Sequence, residues 1–171
     1  MLIRDAEEHD FAAILRLNAE WKHVTSPLDI ERLTGLHARA SYHRVVDEGG
    51  QMSAFLLALG QGTEYESPNY RWFAERYTEF LYIDRVIVDR KCHGDGLGGA
   101  LYRDVFRYAG AHGIPRLVCE VDIEPLNAPS DRFHARHGFV EVGTEWRNEA
   151  RKQVSLRELI VPRGSDVALR P

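Results

Sequence analysis

The chain has 171 residues, 44% hydrophobic and 28% charged, which suits one folded domain and excludes a wholly disordered chain. Lysine and arginine total 22 against 26 aspartates and glutamates, a net charge of −4, so a dedicated nucleic-acid binder is not expected. No apolar run approaches the roughly 18 residues that cross a bilayer, so no membrane partner is expected either.

Residues 2–4 read as a short strand. Over 7–21, Phe11, Ile14, Leu15 and Leu17 recur at helical spacing. Ser26-Pro27 has the form of an N-cap followed by proline at the first helical position. Residues 28–40 then read as a second helix, with Ile30, Leu33 and Leu36 on one face. A hairpin follows, with strands 41–46 and 51–59 around the turn Asp47-Glu48-Gly49-Gly50. Residues 60–68 are a polar loop. The stretch 69–77 holds Tyr70, Trp72, Phe73 and Tyr77, which suits a short helix on the core, a substrate wall or a dimer surface.

Residues 80–88 are rich in aromatic and β-branched residues and form the clearest strand. A short connection leads to a helix over 97–111, which Gly110, Gly113 and Pro115 bring to an end. A strand at 116–121, a helix at 128–136 and strands at 139–146 and 151–161 complete the chain. The order predicts a mixed α/β (α+β) domain over 1–161, one partly antiparallel sheet flanked by helices. Residues 162–171 read as a C-terminal tail. Cys92 and Cys119 are too few for a disulfide framework or a cysteine-rich zinc site. His37, His43 and His137 lack metal-ligand spacing, so no metal is expected. The charged start, Met1 to Glu8, has no apolar h-region, and the cytoplasm is the expected compartment.

The most informative segment is Val86-Ile87-Val88-Asp89-Arg90-Lys91-Cys92-His93-Gly94-Asp95-Gly96-Leu97-Gly98-Gly99. A strand runs into a glycine-rich turn that opens a helix. Glycines let a ligand approach the backbone, and the first turn of a helix offers unpaired N–H groups and partial positive charge, together a diphosphate cradle. Gly94, Gly96 and Gly99 also satisfy the dinucleotide fingerprint, with Glu120 near the position of a ribose-binding acid. Against that reading, five residues separate strand and fingerprint, a meander precedes it, and little chain follows for a doubly wound sheet. Lys91 lacks the ending of a P-loop.

The segment from His93 to Gly98 resembles the acetyl-CoA loop of the GNAT-superfamily N-acetyltransferases, with His93 in place of the usual Gln or Arg. A second block is similar too: Glu120-Val121, then Asn127, then His134 seven residues on, then Gly138-Phe139. His134 stands where the family often has a tyrosine. The resemblance covers about residues 2–146. It implies the acyl-CoA N-acyltransferase fold, acetyl-CoA as co-substrate and a primary amine as acceptor. It places the diphosphate against His93, Gly94, Asp95, Gly96, Leu97, Gly98 and Gly99. Pantetheine would pair with the strand at Val86, Ile87 and Val88, and Asn127 and Ser130 would also face the cofactor.

Within that resemblance Glu120 is the candidate general base, its alternative being a surface carboxylate. Asp84 is a second acid able to attract a cationic amine, its alternative a salt bridge with Arg85. His134 is the candidate acid for the departing thiolate, its alternative a packing role or a bond to the backbone. An idle CoA-binding module and a dinucleotide-binding oxidoreductase are the rival functions. The aromatic run with the last strand suggests a possible homodimer. The stretches 21–40 and 65–77, expected to shape the acceptor pocket, carry no substrate signature.

Overall fold

The structure, a computed structural model, describes residues 1–21 and 25–162. Residues 22–24 of the stretch expected to shape the acceptor site, and 163–171 of the expected tail, lie outside the described residues. The elements run β1 (Leu2–Asp5), α1 (Phe11–Glu20), α2 (Ile30–Arg39), β2 (Tyr42–Asp47), β3 (Met52–Gly60), α3 (Pro68–Ala74), β4 (Leu81–Val88), α4 (Leu97–Ala111), β5 (Arg116–Glu124), α5 (Ala128–Arg136), β6 (Val140–Arg147) and β7 (Lys152–Ile160), with 3-10 turns at Glu8–Asp10 and Arg90–Cys92. The sheet order is β1-β2-β3-β4-β5-β7-β6. β4 and β5 are parallel, meeting at Leu81↔Leu117 and Tyr82↔Val118. The pairs β1/β2, β2/β3, β5/β7 and β6/β7 are antiparallel. This is the expected mixed sheet, and it is not the doubly wound parallel sheet that the dinucleotide reading requires.

The chain divides into two compact units, Met1–Leu59 with Ile83–Val105, and Gly60–Tyr82 with Phe106–Pro171. In the first, α1 and α2 turn Ile14, Leu17 and Leu33 onto Val45, Phe55 and Ile87. β3 is buried on both faces from Met52 to Leu59, so its near-continuous apolar run reads as a central strand. In the second, Tyr70, Phe73, Phe80 and Tyr82 are buried, and Tyr70 meets Tyr82 edge-on at 5.6 Å. Trp72 lies across β6: a Cβ at Gly143 would stand 2.7 Å from its ring, and its Nε1 donates to Glu145 Oε1 at 3.1 Å. The features read as a dimer surface are therefore used inside the chain. The aromatic run packs against β4 and β6, and β7 is flanked by β5 and β6.

Two local expectations are corrected. Ser26 is not the cap of α2. Asp29 is, its carboxylate accepting from Arg32 N at 2.8 Å, while the Ser26 hydroxyl accepts from the Arg85 guanidinium at 3.0 Å. β5 also runs three residues past Val121, to Glu124. The segment between Glu120 and Asn127 is thus mostly strand, closed by a bridge between Ile123 and Leu126 and by Asn127 N donating to Asp122 O at 3.0 Å.

Candidate functional site

In the first unit, Asp89 N at the end of β4 donates to Ser53 O of β3 at 2.8 Å. The Asp89 carboxylate caps the following 3-10 turn through Lys91 N at 2.9 Å. The chain then passes through exposed His93, Gly94, Asp95 and Gly96. Gly94 has φ +99° and Gly96 φ +78°, and a Cβ on either would meet nothing within 4 Å. These left-handed positions explain two of the glycines; the open space above them is what a bound group needs. Gly96 O accepts the first helical bond of α4, from Ala100 N at 2.9 Å. The N–H groups of Leu97, Gly98 and Gly99 begin a helix of 15 residues and have no carbonyl one turn earlier within it. N–H groups without an intrahelical acceptor, helix polarity and open space over glycine fit the diphosphate of acetyl-CoA.

A partner of this loop was not foreseen in the sequence. The Trp21 ring, at the end of α1, stacks on the His93 ring, with centroids 5.1 Å apart and planes 11° apart. Its Nε1 donates to Val88 O at 3.2 Å. Arg90 lies over the same indole at 4.8 Å and donates to Glu20 O at 2.9 Å. On β4, Val86 and Val88 are half-buried and Ile87 is in the core. Asp84 is held by Arg85 at 2.8 Å, both side chains nearly inaccessible. Arg85 also donates to Asn18 Oδ1 at 2.8 Å. The carboxylate of Asp84 thus already has a buried cation, and this arrangement matches its alternative reading.

In the second unit, Glu120 is half-buried on β5 and accepts from the Tyr82 hydroxyl at 2.8 Å. Tyr82 is itself 1% exposed, so it fixes one carboxylate oxygen. Asn127 caps α5, its Oδ1 accepting from Ser130 N at 3.3 Å. The Nδ1 of His134 lies 2.8 Å from Ser130 O and 3.2 Å from Ser130 Oγ. Since a carbonyl can only accept, Nδ1 carries the proton and Nε2 is an acceptor in the neutral ring. His134 is 5% exposed, and burial, first of all, pushes its pKa down to about 4. It is therefore neutral at neutral pH, which does not supply the imidazolium acid expected from the sequence. After His134, Gly138 takes φ +86° and ends α5, and Phe139 packs edge-on against the imidazole at 5.4 Å.

Elsewhere in the first unit, His37 and His43 face each other with their Nδ1 atoms 2.9 Å apart. Burial lowers the His43 pKa to about 4. Among the described residues, no group of three or more His, Cys, Asp or Glu could hold a metal ion, and no helix is long and apolar enough to cross a membrane.

The sequence model of the acetyltransferase (GNAT) family matches residues 4–139. Bacillus subtilis YwnH, named as a candidate phosphinothricin acetyltransferase, is 27% identical over 153 residues, covering 84% of this chain and 86% of that protein. Ard1 from Thermoplasma volcanium has a similar structure, with TM-score 0.75 and 17% identity over 95% of this chain and 98% of that one. The structure of yncA from Salmonella typhimurium, described with its cofactor acetyl-CoA, gives TM-score 0.72 and 20% identity over 98% of both chains. At these identities the two structures show a shared fold.

Proposed function

The chain belongs to the acetyltransferase (GNAT) family, and from that premise we propose that it moves the acetyl group of acetyl-CoA onto a primary amine, with the loop after β4 as anchor and Glu120 as base. The observation that carries the reading is the strand–loop–helix passage: Gly94 and Gly96 in left-handed conformations, open above, leading into α4. Acetyl-CoA supplies an activated thioester carbonyl and a thiol leaving group. The N–H groups at the start of α4 bind its diphosphate. The backbone of Val86, Ile87 and Val88 pairs with pantetheine, and the Asn127 amide offers donors to the same chain.

Glu120 takes a proton from the acceptor's ammonium, the neutral amine so formed attacks the thioester carbonyl, and the Tyr82 hydroxyl orients the carboxylate. Asp84, neutralised by Arg85, supports the strand rather than the acceptor. His134, neutral and bonded to Ser130, holds α5, and the departing thiolate takes the second proton, which the attacking nitrogen sheds as the amide forms. We place the reaction in the cytoplasm, with Cys92 and Cys119 as free thiols, and residues 1–161 as one acetyltransferase domain.

The test is incubation with acetyl-CoA and a panel of small amines, amino acids and peptides, following CoA thiol release and the acetylated product by mass. Glu120→Gln should abolish most of the release. Absence of acetyl-CoA binding by calorimetry would overturn the reading. Tight binding with no turnover across the panel would make the chain a CoA-binding module, the second reading that the neutral His134 favours.

A further inference from the structure

We propose that Trp21 is a displaceable occupant of the acetyl-CoA site, its indole N–H holding the place on β4 that a pantetheine amide takes. The inference rests on the proposed acetyl-CoA reading and follows from the direction of one peptide. In a trans peptide the carbonyl and the N–H point opposite ways. The N–H of Asp89 points to β3, donating to Ser53 O, so the Val88 carbonyl points to the other edge of β4. β3 occupies the first edge; on the second the pairs with β5 are at Leu81 and Tyr82, so a ligand that adds main-chain bonds to β4 has the second edge at its Val88 end. The Val88 carbonyl on that edge is already met by Trp21 Nε1 at 3.2 Å.

The same indole stacks on His93, the first residue of the glycine loop. One side chain therefore touches both the strand carbonyl and the loop that the cofactor needs. Glycine above the loop leaves space for the ligand, whereas Trp21 stands at its approach to β4. Seating pantetheine costs the indole its hydrogen bond and turns the ring away from Val88. The ring is not required to leave the core, because Trp21 is only partly buried.

The experiment compares the wild-type chain with Trp21→Phe, which keeps an aromatic ring beside His93 and removes the donor. One hydrogen bond of this kind corresponds to roughly a threefold to tenfold change in an equilibrium constant. Calorimetric titration with acetyl-CoA should show Trp21→Phe binding tighter by that factor. Indole emission, excited where adenine is transparent, should change on binding in the wild type. In Trp21→Phe, where Trp72 and Trp146 remain, that change should be absent. Equal or weaker binding by a folded Trp21→Phe, or wild-type emission that ignores saturating acetyl-CoA, would overturn the proposal while leaving the acetyl-CoA reading intact. Failure of both proteins to bind acetyl-CoA would overturn the two together.

Discussion

His134 is a buried neutral base, and its protonation should cost the fold stability in acid. The unfolded imidazole has a pKa near 6.5, and in the folded chain burial holds it down at about 4. Between these values the unfolded state binds the proton more readily. The contribution is fully present above about pH 6.5 and is lost as pH falls toward about 4. At about pH 5 the loss from this one group is about 2 kcal/mol, taking 1.36 kcal/mol per pKa unit. His43, also held down at about 4, adds a similar loss from the other unit. His134→Phe keeps a ring against Phe139 but removes the titrating group and the bond to Ser130 O. At about pH 7.5 the variant should be less stable than wild type by about 1 kcal/mol, the worth of a typical hydrogen bond. By about pH 5 that deficit should vanish or reverse, a relative swing of about 2 kcal/mol. Urea denaturation of both proteins at the two pH values measures it. Parallel pH dependences would refute the claim that His134 is buried and neutral, and would restore an imidazolium to the catalytic argument.

Four further outcomes are expected. Glu120→Gln should lower kcat by roughly 10²-fold with acetyl-CoA affinity near wild type, checked by steady-state kinetics alongside calorimetry. Tyr82→Phe removes the donor that orients the Glu120 carboxylate, so kcat should fall by roughly threefold to tenfold, the worth of one hydrogen bond, with acetyl-CoA affinity near wild type, checked by the same kinetics and calorimetry. Gly96→Asn tolerates the left-handed backbone but fills the space above the loop; acetyl-CoA affinity should fall roughly tenfold or more while the protein stays folded, the size expected when close backbone approach is blocked. Gly143→Ala should destabilise by about 1–3 kcal/mol through the clash with the Trp72 ring, lowering Tm by roughly 2–4 °C per kcal/mol, and should cost little in a Trp72→Ala background.

The local physics of the chain was open to reading before the structure. Residues 97–111 and 128–136 have the bounds of α4 and α5 because glycine, proline and asparagine punctuate them. The hairpin followed from two apolar runs around the turn Asp47-Glu48-Gly49-Gly50. The glycine loop was legible because its conformational demand is written in its own residues. What stayed hidden depends on partners distant in the sequence. Ser26 looks like a cap until Arg85, 59 residues on, takes its hydroxyl. Glu120 is held by a hydrogen bond from Tyr82, 38 residues earlier. His134 looks like an acid by chemistry and position, and only burial shows it to be neutral. Trp21 reads only as the start of the stretch expected to shape the acceptor pocket, and nothing local ties an indole at the end of α1 to His93, 72 residues on.

The sheet order carries a consequence for the order of synthesis. β7 is made after β6, yet it stands between β5 and β6, pairing Arg116–Glu124 on one side and Val140–Arg147 on the other. While a growing chain has reached only β6, neither neighbour has the strand it needs: β5 exposes unpaired N–H and C=O groups along one edge, and β6, last in the sheet, along both. The strand made last among those described is thus the one that closes the second unit. Until it emerges, β5 has only its parallel partner β4 and β6 has no strand partner, so an interrupted chain ending before Lys152 presents open edges to any other nascent strand nearby.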